Sequence, residues 1–509
     1  MGIPSYFRFL IDKNPSLVKK TFNKVNRTYL CFDLNCIVYN CLGKSVYDGD
    51  NLEKYEHTVI QETCKYIEYV WRSSGKCEEV FLAVDGVVPM AKMKQQRLRR
   101  FKSTVMAEYE IQQNVRKVDE PRWDSNAITP GTVFMKKLHS SLQELCESHT
   151  SWTLSGYNSY GEGEHKIMSF IRKMKTKDNT IIVYGLDADL ILLSMIHSED
   201  QSIYLMREEL EFNRVVKDKF DDPQFLYFDI SSFKNKVIPD YSKQKMLDYI
   251  VMMSFLGNDF VPHSMAFTIK ENGHTFLYET LQNYKKHLVD SKNSIIWKNV
   301  KEFLKLCVVE EEKKIETFCK KKSQIKFFRV NREHASEYEM KMAPVQILPC
   351  QWYVEKEIYN QETNRLHSDW KNLYYSKFLS QEKERVIEEY LKGIQWILDY
   401  YIGGKIEYDW YYPWMYTPLW EDVVSYLTKK EPDIKYRIEK WLEPEQQLAI
   451  VLPVQSYNLI ADVRYKQFPI RYPQLYPISF GFHSLGKKWF YECESNIPIF
   501  SSKFLRSII

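Results

Sequence analysis

Three short apolar runs punctuate the first 200 residues, and each ends on acidic side chains: TYLCFDLN at 28–35, VFLAVDG at 80–86 and TIIVYGLDADL at 180–190. None alternates between apolar and polar positions. Runs of this length without alternation, separated by longer stretches of helical periodicity, predict parallel strands buried on both faces. The chain is therefore read as α/β, with a mainly parallel central sheet flanked by helices. Ligands of such sheets sit beyond the carboxyl ends of the strands, which puts Asp33, Asp85, Asp187 and Asp189 along one edge. The stretch MLDYIVMMSFLGNDF at 246–260 has helical length and is almost wholly apolar up to Phe255. Its Gly-Asn turn then presents Asp259, so it predicts a buried helix ending at the same site.

Beyond residue 290 the pattern weakens. EEEKKIETFCKKKSQIKFFR at 310–329 starts acidic, turns basic and is barely periodic, so 291–365 reads as a helical linker or insertion. A second compact region resumes near Trp370 and runs to 509, with helical YLKGIQWILDYY at 390–401 followed by the aromatic-rich DWYYPWMYTP at 409–418. Residues 1–290 then form a first domain and 366–509 a second, mostly helical one.

Composition changes this picture little. With 509 residues there is chain enough for two to four units. Hydrophobic residues at 44% and charged residues at 27% are ordinary for a globular chain. A net charge of +4 excludes a polycation, so any nucleic-acid contact must come from a local basic patch. Aromatics at 15%, with 36 tyrosines, exceed what a core needs and suit stacking on bases. The ten cysteines include no CxxC pair, which argues for buried thiols in a reducing compartment rather than zinc or disulfides. With no leader-like segment, no apolar run near eighteen residues and Tyr6 where acylation of Gly2 would need Ser or Thr, the expectation is a soluble, cytoplasmic protein without membrane contact. The lysine clusters at 320–322 and 429–430 are too short to argue for nuclear import.

The candidate chemistry begins with seven carboxylates: Asp33, Asp85, Glu162, Glu164, Asp187, Asp189 and Asp259. Singly, each reads as a turn former or helix cap. Gathered at one sheet edge they would repel unless cations lay among them. All-oxygen ligation favours Mg²⁺ or Mn²⁺. Two such ions about 3.5 to 4 Å apart activate a water and stabilise the leaving oxygen of a phosphodiester. Glu162 and Glu164 stand in GEGEHKIM at 161–168, where Gly161 and Gly163 would let the backbone bring both towards the cluster. Shortly after Asp85, following VDGVVP, comes AKMKQQRLRRFKS at 91–103. As a helix it puts Lys92, Gln96, Arg99 and Arg100 on one face, three cations and an amide able to clamp a terminal phosphate. The bland alternative is a solvated basic face. Of the aromatics, Tyr39, Trp410, Tyr411, Tyr412, Trp414 and Tyr416 are mostly core by type, though one or two could stack a base. His165 is left without a role.

The motifs MGIPSYFRFL, FDLN, AVDGVVPMAKMKQQRLRRFKS, SNAITPGTVFM, GEGEHKIMSFIR, VYGLDADLILL and FLGNDFVPH, then WKNLYYSKF, YLKGIQWILDYY, WYYPWMYTP and LGKKW, run in an order that resembles the Xrn family of 5′→3′ exoribonucleases. Only 290–365 is left largely uncovered. The resemblance implies a PIN/FEN-like nuclease core and a Mg²⁺-dependent, processive enzyme. Its substrate would be single-stranded RNA bearing a 5′-monophosphate, and its products mononucleotides, as in mRNA decay. It implies that all seven carboxylates serve the metal site, with two ions as the family's arrangement. Lys92, Gln96, Arg99 and Arg100 would hold the 5′-phosphate, and the second region would close over the site. The family's base-stacking histidine corresponds to Tyr39, and its sandwiching tryptophan to Trp410, with Tyr408 as the competitor. Tyr160 replaces the proline that usually precedes GEGEHK. A monomer is expected, no protein partner is named by the sequence, and docking attributed to the long C-terminal extensions of larger members is not carried over. The rival readings are a flap-type, structure-specific endonuclease and a catalytically silent RNA-binding scaffold.

Overall fold

The computed structural model describes residues 3, 5–185, 187–209, 225–331, 335–437 and 439–508. Gly2, on which the acylation pattern turns, and Leu186 of VYGLDADL lie outside them. Among the described residues, seven strands form one sheet: β1 (Val18–Lys19), β2 (Thr28–Asp33), β3 (Glu79–Ala83), β4 (Trp152–Ser155), β5 (Asn179–Tyr184), β6 (Gln201–Glu208) and β7 (Phe225–Asp229), in the order β1-β7-β6-β5-β2-β3-β4. The five strands from β6 to β4 are parallel to their neighbours, whereas β7 pairs antiparallel to both β6 and β1.

Burial on both faces explains why the strand sequences do not alternate. From β2, Cys31 enters one core together with Phe81, Ile181, Val183 and Leu205. Its neighbours Leu30 and Phe32 enter the opposite core with Val80, Leu82, Ile182 and Met206. A side chain of this kind contributes about 1.5–3 kcal/mol when fully buried, so either face of a polar-alternating strand would lose that contribution.

The second region is mainly helical. The Lys383–Ile402 helix buries Tyr390, Leu391, Trp396, Ile397 and Tyr401 against the first core, and it stops at Gly403, whose φ of 73° lies in the left-handed region that glycine adopts without cost. The segment expected as a linker or insertion is also helical. Its Trp297–Val308 and Glu311–Ser323 helices place Phe303, Leu304, Ile315 and Phe318 in that same core. Glu311 accepts the backbone N–H groups of Trp420 and Glu421, capping the helix that starts there. No helix among the described residues is long and apolar enough to cross a membrane.

Candidate active site

The carboxyl edge of the sheet gathers the acidic residues by simple chain geometry. Asp33 is the last residue of β2, Asp85 lies two residues beyond β3, and Asp187 three beyond β5. Asp189 opens the Asp189–His197 helix. Glu162 is the N-terminal cap residue of the Gly163–Arg172 helix and Glu164 stands in its first turn, where a negative side chain is favoured by the helix dipole. Asp259 follows the buried Lys243–Ser254 helix, in a turn that Asn258 closes by accepting the N–H groups of Phe260 and Val261 at 2.9 and 3.1 Å. All seven predicted carboxylates are thus brought to one place.

The two glycines of GEGEHK work differently. Gly161 has φ = 100°, a conformation in which its carbonyl accepts from Gly86 N–H at 2.9 Å and its own N–H reaches Val87 O at 2.7 Å. Gly163 is required by proximity: a Cβ there would lie 2.6 Å from Asp33 Oδ1, and its N–H donates to Asp85 Oδ1 at 2.7 Å. Asp85 is further fixed by Asn35, whose Nδ2 donates to Oδ2 at 3.1 Å while its Oδ1 accepts the Asp85 N–H at 3.2 Å.

The cluster is electrostatically unbalanced. Burial, followed by the charges of Asp85, Asp187 and Asp189, pushes the Asp33 carboxyl well above the usual range. Burial with Asp189 and Glu162 does the same to Glu164. Burial and Asp187 raise Asp189 to about 7. Lys92 lies within ion-pair reach of these groups, at 2.5 Å from Glu162 Oε2 and 2.8 Å from Asp259 Oδ2. Burial acts to lower its pKa, but Asp259, Glu162 and Glu164 outweigh that and hold it well above the ordinary value. Glu164 Oε2 and Asp189 Oδ1 are buried without a hydrogen-bond partner, an arrangement that is costly unless something else binds there. Ligand atoms of Glu162, Glu164 and His165 lie within 4.8 Å of one another. Oxygen-rich donors with unmet valence fit a divalent metal ion of the hard kind.

His165 itself is neutral. Burial drives its pKa well below the ordinary value, and its ring stacks on Tyr400 at 3.7 Å between centroids. Tyr400 in turn donates to Glu162 Oε1 at 2.8 Å, so the second region reaches directly into the cluster.

The basic stretch is helical, within Met90–Gln112, as its spacing predicts. Its four candidates do not behave as one set. Lys92 turns into the carboxylates, a choice open to a long flexible side chain that helical spacing does not determine. Gln96 is buried and its Oε1 accepts from Gln447 Nε2 at 3.3 Å, while Gln447 Oε1 takes the Val88 N–H at 3.0 Å. Arg100 is buried with Nη1 unpartnered, and burial lowers its pKa to about 10 against the opposing pull of Tyr39 and Asp124. Arg99 is partly exposed on the flank of the same face. Tyr39 stands beside Arg100 at 43% exposure, free to offer its ring.

Trp410 requires a correction. It is 4% exposed, its indole N–H donates to Glu389 Oε2 at 2.9 Å, and its ring packs on Trp396 and against Gly393, where even a Cβ would not fit. A ring buried on both sides cannot stack a base. The half-buried Tyr408 lies instead against Trp441, at 3.9 Å between centroids, and Tyr160 stacks on the same indole at 5.1 Å and 12°. The loop that lost its proline is therefore tied down by an aromatic contact.

Several residues have positioning roles that the sequence reading did not assign. Arg207 donates from Nε to Gly185 O at 2.9 Å and from Nη2 to Asp187 O at 3.0 Å, holding the loop that carries Asp187. Lys166 donates to Val84 O and Gly156 O at 2.6 and 2.8 Å, joining the ends of β3 and β4. Asn35, Tyr400 and Gln447 complete the group. Asn35, Lys166 and Tyr400 stand inside motifs read for other residues, whereas no local spacing marks Arg207 or Gln447.

Comparison with known proteins gives this geometry a lineage. The signature described as "XRN 5'-3' exonuclease N-terminus" matches residues 1–209, and that of the "Xrn1 helical domain" matches 240–366 and 353–505, which includes the stretch the motifs left uncovered. The chain is 28% identical to 5'-3' exoribonuclease 1 of Homo sapiens over 99% of its own length and 34% of that protein. It is 27% identical to 5'-3' exoribonuclease 1 of Saccharomyces cerevisiae, covering 90% of this chain and 40% of that one. With 5'-3' exoribonuclease 2 of Arabidopsis thaliana the identity is 25%, over 99% and 66%. The chain thus spans about a third to two thirds of the length of these relatives. Among solved structures it is similar to the catalytic core of Rad2 in complex with DNA substrate, at 12% identity and a TM-score of 0.29, covering 74% of this chain and 93% of that one.

Proposed function

Since this chain belongs to the Xrn family of 5′→3′ exonucleases, we propose that it hydrolyses single-stranded RNA from a 5′-monophosphate end, one nucleotide at a time, with Mg²⁺ or Mn²⁺, two ions at the carboxylate edge. The observation that carries this reading is the presence of buried groups without partners both among the carboxylates and on the helix that Lys92 ties to them. Carboxylate oxygens of Glu164 and Asp189 are buried without partners, and on the neighbouring basic helix Arg100 Nη1 is buried without one. One site asks for cations and the other for an anion, which is what a phosphate end and the scissile bond beside it would supply together.

Asp33, Asp85, Glu162, Glu164, Asp187, Asp189 and Asp259 would hold the metal. When bound, divalent ions supply an activated water and charge for the leaving oxygen. The chain's own residues do the rest. Arg100, Arg99 and Gln96 receive the terminal phosphate, Arg offering two parallel N–H donors. Gln447 fixes the Gln96 amide. The burial of Gln96 and Arg100 supports selection against a bulky cap or extended polyphosphate. Tyr39 stacks the first base, and Tyr408, backed by Trp441, is the facing ring in place of Trp410. Lys92 joins the two halves, its ammonium shared by Glu162 and Asp259. After each cleavage the new 5′-phosphate occupies the same pocket, so one set of residues serves end selection and processive movement.

The test uses one RNA with a 5′-monophosphate, triphosphate or hydroxyl, each with Mg²⁺ or with EDTA. The monophosphate RNA alone is expected to decay, and only with metal. Equal decay of the three ends refutes the phosphate pocket, and decay in EDTA refutes the metal. A circular RNA is expected to resist, whereas its cleavage would favour an endonuclease.

A further inference from the structure

On the flank of the basic helix, next to the phosphate-binding face, lies a cavity of about 480 Å³ that reaches Asp259 and Arg99 at the catalytic edge. Its size falls within the roughly 300–1,000 Å³ typical of small-ligand sites. Its wall includes lysines from both halves of the chain: Lys94 and Lys102 of the helix, and Lys487 of LGKKW, a motif to which the proposed reaction gives no task.

These ammonium groups are held by neutral atoms. Lys94 Nζ donates to the carbonyls of Tyr412 and Trp414 at 2.6 and 3.1 Å, and Lys102 Nζ to those of Tyr491 and Cys493 at 2.9 and 2.7 Å. Lys487 Nζ lies 2.6 Å from His263 Nε2. With His263 Nδ1–H donating to Ser264 O at 3.0 Å, Nε2 is left as the acceptor and the imidazole brings no charge. Glu494 is the carboxylate facing all three lysines. Glu492, which also reaches Lys102 and Lys487, is already paired with Lys270 at 2.7 Å. Three cations against one unpaired carboxylate leave a surplus of two positive charges around a partly open cavity, an arrangement that favours an anion. A phosphomonoester carries about −1.5 to −2 at pH 7. Trp414, half-buried in the same wall, offers an indole for a base to lie on.

We propose that this cavity is a second nucleotide site. It takes a nucleoside 5′-monophosphate, with the phosphate among Lys94, Lys102 and Lys487 and the base on Trp414. Two sources share this chemistry: the nucleotide cleaved at the adjoining edge, which as a source rests on the function proposed above, and free nucleotide from solution.

Calorimetric titration of the whole chain with 5′-AMP, without RNA, tests the site. Two equivalents are expected, one weakened at least tenfold by Lys487→Ala and the other by Arg100→Ala. Lys102→Met, which keeps the stem of the side chain and lies away from His263, is expected to weaken the first in the same way and guards against a folding defect. Adenosine should bind the first site at least a hundredfold more weakly than 5′-AMP. A single equivalent untouched by Lys487→Ala and Lys102→Met overturns the proposal, as does equal affinity for adenosine. Loss of the Arg100-dependent equivalent alone counts against the function reading and leaves this one standing. The source is read with 2-aminopurine as the 5′-terminal base of the RNA. Quenching during turnover that Trp414→Leu abolishes identifies the cleaved nucleotide as occupant. Quenching only with added 2-aminopurine 5′-monophosphate assigns the site to free nucleotide, and quenching with neither overturns it.

Discussion

Arg97 and Arg100 sit three residues apart on one helix, both buried and both with pKa lowered to about 10 by burial, yet they belong to different parts of the molecule. Arg97 has every donor group engaged: Nε with Pro498 O at 3.0 Å, Nη1 with Ile450 O at 2.6 Å and Nη2 with Leu475 O. Its guanidinium also lies over the rings of Phe101, Tyr476 and Phe500. Arg100 keeps Nη1 buried and unpartnered. The difference teaches that burial of a charge does not identify function. An open donor such as Arg100 Nη1 can still serve a ligand, whereas the engaged nitrogens of Arg97 serve the fold.

The comparison can be broken in graded ways. The largest effect is expected at the unsatisfied carboxylates. Asp189→Ala should cut cleavage of monophosphorylated RNA by about 10³-fold, the scale of losing one preorganised electrostatic contact at a transition state, without lowering the melting temperature. A destabilised variant with residual activity would put Asp189 on the structural side instead. Next comes Arg97→Ala, expected to cost about 3–5 kcal/mol, as for a buried charge network broken on one side. Urea unfolding measures it, and a loss under 1 kcal/mol would show that its carbonyl contacts contribute little. Arg100→Ala should do the reverse, leaving the urea midpoint nearly unchanged while raising the KM for 5′-monophosphate RNA by roughly 10- to 100-fold, equivalent to about 1.5–3 kcal/mol for hydrogen bonds to a charged group. If the KM for 5′-hydroxyl RNA rises equally, the residue does not read the phosphate.

Smaller still is the contrast between Tyr408→Ala and Trp410→Ala. The first is expected to weaken RNA binding by about 1–3 kcal/mol per lost stack with stability kept. The second should lower stability, with affinity of the folded fraction unaltered. The finest measurement is proton release. Asp189 is raised to about 7 in the metal-free protein, so part of the population is protonated at pH 6.5 and must lose that proton when a divalent cation binds. Mg²⁺ titrations in buffers of different ionisation enthalpy should show release that shrinks towards pH 8.5. The sign for stability follows. A carboxyl raised above its unfolded value contributes fully below the unfolded pKa and is lost as pH rises through about 7, so the metal-free protein should weaken over that interval and Mg²⁺ should cancel the loss.

The framework of the site was legible because it depends on local signals. Non-alternating runs located β2, β3 and β5, strand ends located Asp33, Asp85 and Asp187, and a Gly-Asn turn located Asp259. All of these are properties of consecutive residues. What was not legible depends on partners far along the chain. Lys92 lies on the predicted face, but its ammonium is taken by Glu162 and Asp259, 70 and 167 residues away. Trp410 and Tyr408 stand two apart in irregular backbone, where no period assigns a side to either, and the tight approach of Gly393 decides which is buried. Arg207 and Gln447 act through backbone or amide groups that no motif announces.

Glu162 takes a hydroxyl from Tyr400 and Gln96 an amide from Gln447. On the ribosome the chain is made in order, so all seven carboxylates and the basic helix emerge well before these two partners exist. A nascent or prematurely terminated polypeptide carries the acids without the groups that set their geometry. The proposed activity is thereby expected only once synthesis has passed Gln447, because the contacts that set Glu162 and Gln96 are not made before then.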